Sequence, residues 1–285
     1  MIFKNLSRIN ESNEGIGIFV GFDAVFIFAL CCIALLCIMS CMQKKSYTIN
    51  ELGFWRGSKA YDLAKALHNE NYIKAQALIN QDSTIVNAPD LKFGSILLSW
   101  AIMTENKEAV EFLLRNGANP NHHDTKDGFS PMLEACYYSD ADNSLDIIEL
   151  LIKYGGDVND ICLPIDTIHY DYSIRSPLAA LCARFNDKKS VDKVKYLIEK
   201  GAQIDLPYKP GYTPLCESVI HHNFRVSRYL IETCGADYRK AYVPQVDSPG
   251  DTVFLKSMVL KDYKNEPRFR KDKDFIWLYE YIKDK

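Results

Sequence analysis

A short pattern recurs in four places along this chain of 285 residues, and a chain built that way has few folds open to it. An apolar run closes on Leu-Leu or a Leu-Ile pair, then on Gly, a small residue, and Asn or Asp two or three positions later. It reads Phe112 to Asn121, Leu150 to Asn159, Tyr196 to Asp205 and Tyr229 to Asp237. An opening half, Ser or Thr followed by Pro and an apolar residue, stands at Ser130-Pro131-Met132, Ser176-Pro177-Leu178 and Thr213-Pro214-Leu215. Ser130, Ser176 and Thr213 are suited to cap a first helix, with Pro at its first position, where the missing N–H costs no hydrogen bond. Gly117, Gly155, Gly201 and Gly235 follow a second helix, where a left-handed residue ends it. The Leu pairs make a face that no unit can bury alone, so neighbours must stack.

A period of about 33 residues with a turn and two helices per unit is the ankyrin signature. Residues 59–241 resemble the ankyrin-repeat family on these motifs. The resemblance implies an all-α solenoid of about five to six helix-turn-helix units, here preceded by an N-terminal hydrophobic helix. The expected layout is an apolar segment over residues 1–42, a tether over 43–58, the repeats over 59–241, and a degenerate repeat with a cap over 242–285. Phe54 and Trp55 are placed to plug the open face of the first unit. The fourth unit is long, because Gly155 and Gly201 lie 46 residues apart against 34 between Gly201 and Gly235. Most of the excess falls in Asp160 to Arg175, and insertions of this kind map to loops on one face. Asp251 to Met258 reads as a sixth first helix, and Phe275 to Ile282 as a closing helix.

From Ala24 to Met39 the chain is apolar and uncharged, too apolar for the surface of a solenoid. A spanning helix needs about 20 such residues and a secretory core about 7–15, so the length lies between. Two membrane readings stand side by side. Ile38-Met39-Ser40-Cys41 resembles a bacterial lipobox, which would make Cys41 a lipidation site. Alternatively the segment is an uncleaved single-pass helix, with Lys44 and Lys45 behind it favouring cytoplasmic repeats. Glu11, Glu14 and Asp23 weigh against the positive region that a signal wants.

Lys and Arg total 34 against 37 Asp and Glu, a formal charge of −3, which gives no footprint for nucleic acid. Cys136, Cys162, Cys182, Cys216 and Cys234 have no disulfide-framework spacing, and buried thiols acting as small hydrophobes suit them. His122-His123-Asp124 and His221-His222 lack partners at a recognised metal spacing. No phosphate loop or nucleophile elbow occurs. The chain is therefore read as a non-enzymatic protein that carries no cofactor and no metal.

The surface left for function is the loop fingers together with the outward side of the first helices. Alignment of the units puts Trp100, Glu134, Ala180 and Glu217 at one position expected to face solvent, with Tyr137, Tyr138 and Arg184 nearby and Tyr170 and Tyr172 in the insertion. Trp, Tyr and Arg make up interface hot spots, so these residues form the expected contact surface for an unidentified protein partner. Ala60 to Leu67, Leu98-Ser99-Trp100-Ala101 and Asn119-Pro120-Asn121 are similar to bacterial ankyrin lipoproteins. That likeness implies residence in a bacterial cell envelope and, as one alternative, an immunity protein that neutralises a secreted antibacterial effector. A scaffold for a membrane complex is the other alternative.

Overall fold

The computed structural model describes residues 52–138, 144–162, 176–183, 188–244 and 252–285. The apolar run 24–39, Cys41 and most of the 43–58 tether lie outside them. Among the described residues no helix is long and apolar enough to cross a membrane.

A single helical turn, α1 (Leu52–Trp55), leads into six helix pairs. These are α2 (Tyr61–His68) with α3 (Tyr72–Gln81), α4 (Leu97–Met103) with α5 (Lys107–Arg115), and α6 (Pro131–Tyr137) with α7 (Ser144–Lys153). They continue as α8 (Pro177–Cys182) with α9 (Lys188–Glu199), α10 (Pro214–Ile220) with α11 (Phe224–Glu232), and α12 (Leu255–Asn265) with α13 (Lys273–Ile282). The first helices α4, α6, α8 and α10 pack side by side in that order. One apolar core runs through all the pairs, from Trp55 and Leu63 through Leu113, Leu151, Leu197 and Leu230 to Leu278. Trp55 is buried in it, as a plug of the first unit should be, whereas Phe54 turns away to meet Phe93 edge to face at 5.1 Å.

The capping residues act as the sequence predicts. The hydroxyls of Ser130, Ser176 and Thr213 accept from the backbone N–H of Leu133, Ala179 and Cys216 at 3.2, 3.3 and 3.2 Å, each with Pro behind it. The second helices have their own device. Asn71 and Asn106 cap α3 and α5 by accepting from Lys74 and Ala109, both at 2.9 Å. Before each Asn the chain turns through a left-handed residue, Glu70 (φ 53°) and Glu105 (φ 59°), and His222 (φ 57°) repeats this ahead of Asn223. Gly201 (φ 96°) ends α9 in the same region, where a side chain would meet nothing but would strain the backbone.

The Asn that closes each repeat clamps the next one. Asn87 donates to the Gly117 carbonyl at 2.8 Å and accepts from the Asn119 N–H at 2.7 Å. Asn121 does the same to Gly155 and Asp157 at 2.9 and 2.8 Å. Asn159 does so to Gly201 and Gln203 at 3.0 and 2.8 Å. The clamp thus survives at the joint into the long fourth unit. At the fourth joint Asp205 stands where Asn would. Its carboxylate accepts from the Asp237 N–H at 3.2 Å and from Lys240 Nζ at 3.1 Å.

One feature departs from an all-α reading. Between the fifth and sixth pairs the chain forms an antiparallel two-stranded ladder, β1 (Tyr242–Pro244) with β2 (Thr252–Phe254), in which Val243 faces Val253. Its first strand is fixed by Tyr242 N–H donating to the Gly211 carbonyl at 3.0 Å, a contact so close that a side chain at Gly211 would collide with Tyr242. The end of the stack is then closed by aromatics. Phe224, Phe269 and Phe275 meet with ring centroids 4.7 to 5.4 Å apart, and the His222 ring lies 4.6 Å from Phe269. Burial holds the His222 imidazole below its ordinary range, partly offset by Asp262 at 3.9 Å, with Arg268 and His221 pushing the same way as burial. Burial raises the Asp262 carboxyl.

Asn121→Ala removes two hydrogen bonds between units and is expected to cost about 1–3 kcal/mol in a urea titration. Asn121→Asp, which keeps the acceptor and loses the donor, should fall between the two. A second expectation concerns pH. Because His222 titrates lower in the folded chain than in the unfolded one, the unfolded chain binds the extra proton first as pH falls below about 6.5. Stability contributed by the neutral ring is complete above that value and declines below it. The melting temperature should therefore drop from pH 7.5 to pH 5.5, and His222→Gln should flatten that drop. Asp262, with its raised value, acts in the opposite sense and at lower pH.

Candidate protein-interaction surface

The shared first-helix position is not the open surface that alignment suggests. Trp100 is 7 % exposed, Glu134 0 % and Glu217 2 %, and Ala180 is also buried. The reason is the side-by-side packing of α4, α6, α8 and α10, which closes the position between neighbours. A second apolar cluster forms on the same units from Phe129, Leu133, Cys162, Ala179 and Tyr208. Glu217 is buried with its charge answered: the Tyr208 hydroxyl donates to one carboxylate oxygen, and His221 Nε2 stands 3.4 Å from the other. Tyr137 and Tyr138 are half-buried and pack on each other at 4.9 Å, with Tyr137 also 5.4 Å from Phe129. Tyr170, Tyr172, Arg184 and Cys41 lie outside the described residues.

The histidines serve the fingers, the loops that join one helix pair to the next. His122 Nε2 meets the Gly94 carbonyl at 2.9 Å, which ties the finger before α6 to the one before α4. His123 lies between the Gly128 carbonyl at 2.8 Å and Asp160 Oδ1 at 3.1 Å, while the Ser130 hydroxyl donates to Asp160 Oδ2. Ser, His and Asp therefore meet, but with the carboxylate between the other two. The hydroxyl has the acid, not the imidazole, as its acceptor, and it also caps α6. This arrangement locks two fingers together and leaves no activated nucleophile. Among the described residues no three His, Cys, Asp or Glu side chains converge on a common point. Burial raises the thiols of Cys136 and Cys182 well above their ordinary range, and that of Cys216 to about 12, so these sulfurs stay protonated and inert.

What does stand open is a pair of finger tips. Asp90-Leu91-Lys92-Phe93-Gly94 and Asp124-Thr125-Lys126-Asp127-Gly128 share one motif, Asp-x-Lys-x-Gly. In each, the buried Asp turns inward and accepts from backbone N–H groups: Lys92 and Phe93 for Asp90 at 2.8 and 2.7 Å, Lys126 and Asp127 for Asp124 at 2.9 and 2.7 Å. Such Asx turns fix the loop and throw the middle residue outward. Thr125 N–H donates to the Phe93 carbonyl at 2.9 Å and joins the two tips. Lys92 Nζ lies 4.4 Å from the Phe54 ring and 4.8 Å from Phe93, and Lys126 Nζ lies 4.6 Å from Phe93. Leu91 beside them is 70 % exposed. The repeated Asp-x-Lys-x-Gly was visible in the sequence, but only folding shows that the acids are spent on amides and the lysines are not.

Comparison with known proteins agrees with this construction. Residues 59–162 match a family model described as ankyrin repeats, in three copies. Over those residues the units are similar to ankyrin repeats. The chain is 37 % identical over 82 residues to an ankyrin repeat protein of fowlpox virus (strain NVSL), a match covering 29 % of this chain and 23 % of that one. It is 28 % identical over 101 residues to an ankyrin repeat protein of Acanthamoeba polyphaga mimivirus, covering 35 % of this chain and 57 % of the relative. The match thus spans under two thirds of either viral protein. Ankyrin repeats are interaction modules, which fits a protein partner and points to no catalytic family.

Because Trp100 is in the core, Trp100→Ala should cost about 3–5 kcal/mol of folding free energy. Chemical denaturation measures it. A variant that melts like the parent would return Trp100 to the surface.

Proposed function

We propose that this chain is a non-enzymatic interaction module held at a membrane by its apolar segment, and that it grips a protein partner with its finger loops. The observation that carries the reading is the two linked finger tips: they are fixed by buried Asp side chains yet hold Leu91, Lys92 and Lys126 in solvent. Loops set rigidly on a scaffold are where binding residues concentrate. The membrane part rests on the uncharged run Ala24 to Met39, whose length lies between a secretory core and a spanning helix and so serves either a lipidated leader at Cys41 or a retained helix. The likeness of Ala60 to Leu67 and Leu98 to Ala101 to bacterial ankyrin lipoproteins extends the proposal to an envelope-bound immunity protein, and a scaffold uses the same surface without a toxin.

Two measurements test this. A photo-crosslinking amino acid at Lys126 should capture a protein in the native cell, whereas the same group at Lys195 on α9 should not. Equal capture at both, or none at either, sinks the finger reading. Fractionation should put the full chain in the membrane pellet, and deletion through Gln43 should release it.

A further inference from the structure

We propose that the linked tips of the fingers before α4 and α6 receive an acidic segment of the partner protein. This rests on the protein-interaction reading above and narrows it to a chemistry. The sign of the patch comes from how the loops are built. Asp90 and Asp124 are buried, each holding its own turn by accepting backbone N–H groups, and Asp90 also takes Ser95 N–H at 2.9 Å. Their charge is turned into the scaffold, while Lys92 and Lys126 two residues on stand exposed. Arg56 joins them, because the turn after α1 is fastened to the first finger by Leu91 N–H donating to the Phe54 carbonyl and Ser58 Oγ donating to the Pro89 carbonyl at 2.8 Å. Among the described residues Asp127, half-buried, is the acid that shares the second tip with Lys126.

The patch is also ordered. Each ammonium group rests on an aromatic ring, Lys92 near both Phe54 and Phe93 and Lys126 near Phe93. A lysine held over a ring loses less side-chain freedom on binding than one that moves freely. Leu91, next to Lys92 in the chain and 70 % exposed, offers an apolar contact on the same tip. A peptide that carries carboxylates beside an apolar residue matches that arrangement in charge and in polarity.

The test uses the full chain in dodecyl maltoside. A random peptide library displayed on phage is selected against it, and recovered peptides are titrated by fluorescence anisotropy. Recovered peptides should be rich in Asp and Glu about an apolar residue. Each exposed charge pair is worth up to about fivefold, so Lys92→Gln with Lys126→Gln should weaken binding about threefold to tenfold. Lys92→Glu with Lys126→Glu should weaken it more than tenfold, and 0.5 M NaCl should mimic the Gln pair. Both pairs are surface changes and should melt like the parent, which circular dichroism checks. Peptides without acids, or acidic peptides that bind all three proteins alike, overturn the inference while leaving a protein-binding module. A library that yields no binder overturns both. Sedimentation showing that the parent self-associates through the tips, with the Glu pair monomeric, would overturn it in favour of a second copy.

Discussion

The joint between neighbouring units is what every other part of this molecule leans on. At each joint the apolar faces of one helix pair meet those of the next, and at the first three the closing Asn of one finger base reaches across to a Gly carbonyl and an amide beyond it. The two contributions do different things. Burial supplies the driving force, which has no direction. The paired hydrogen bonds fix where the next unit sits, because an amide side chain that must donate to one group and accept from another tolerates little sliding. Neither works without the left-handed Gly, which turns its carbonyl out to be met.

Much of this was legible in the sequence, and for a physical reason. The cap Ser130, Ser176 and Thr213, their prolines and the terminal glycines answer local needs of the backbone, so they look the same wherever they occur. The middle pairs followed from them, whereas the first pair was expected from apolar spacing and the last from its aromatic load. The Asn clamp was visible as a letter and not as a contact. The ladder of Tyr242 to Pro244 with Thr252 to Phe254 was not legible, since three residues a side carry too little pattern to stand out. Asn71 and Asn106 as caps, each behind a left-handed Glu, also went unread.

The candidate site was the part read least well. Trp100, Glu134 and Glu217 were placed outward by aligning units, but alignment gives the direction of a side chain and not what a neighbour puts in front of it. The packing of successive first helices closed that position, and a Tyr hydroxyl made room for the Glu217 charge. The finger tips are a better surface for the opposite reason. Their conformation is set by groups inside the loop, so the outward residues are left to be chosen for a partner. This division keeps the repeat frame and the recognition residues separate in the chain.

The fourth joint has a character of its own. Where three joints are spanned by a neutral amide, Asp205 brings a charge, and it is met by Lys240 as well as by a backbone N–H. Ionic strength has little hold on an amide bridge but screens an exposed ion pair. Along the line of clamps salt therefore reaches only the fourth rung, while at the second seam it reaches the exposed Lys107–Asp146 pair that stands beside the amide. A rise in ionic strength would loosen that line first at Asp205, while the amide rungs under the fingers of the first units keep their hold.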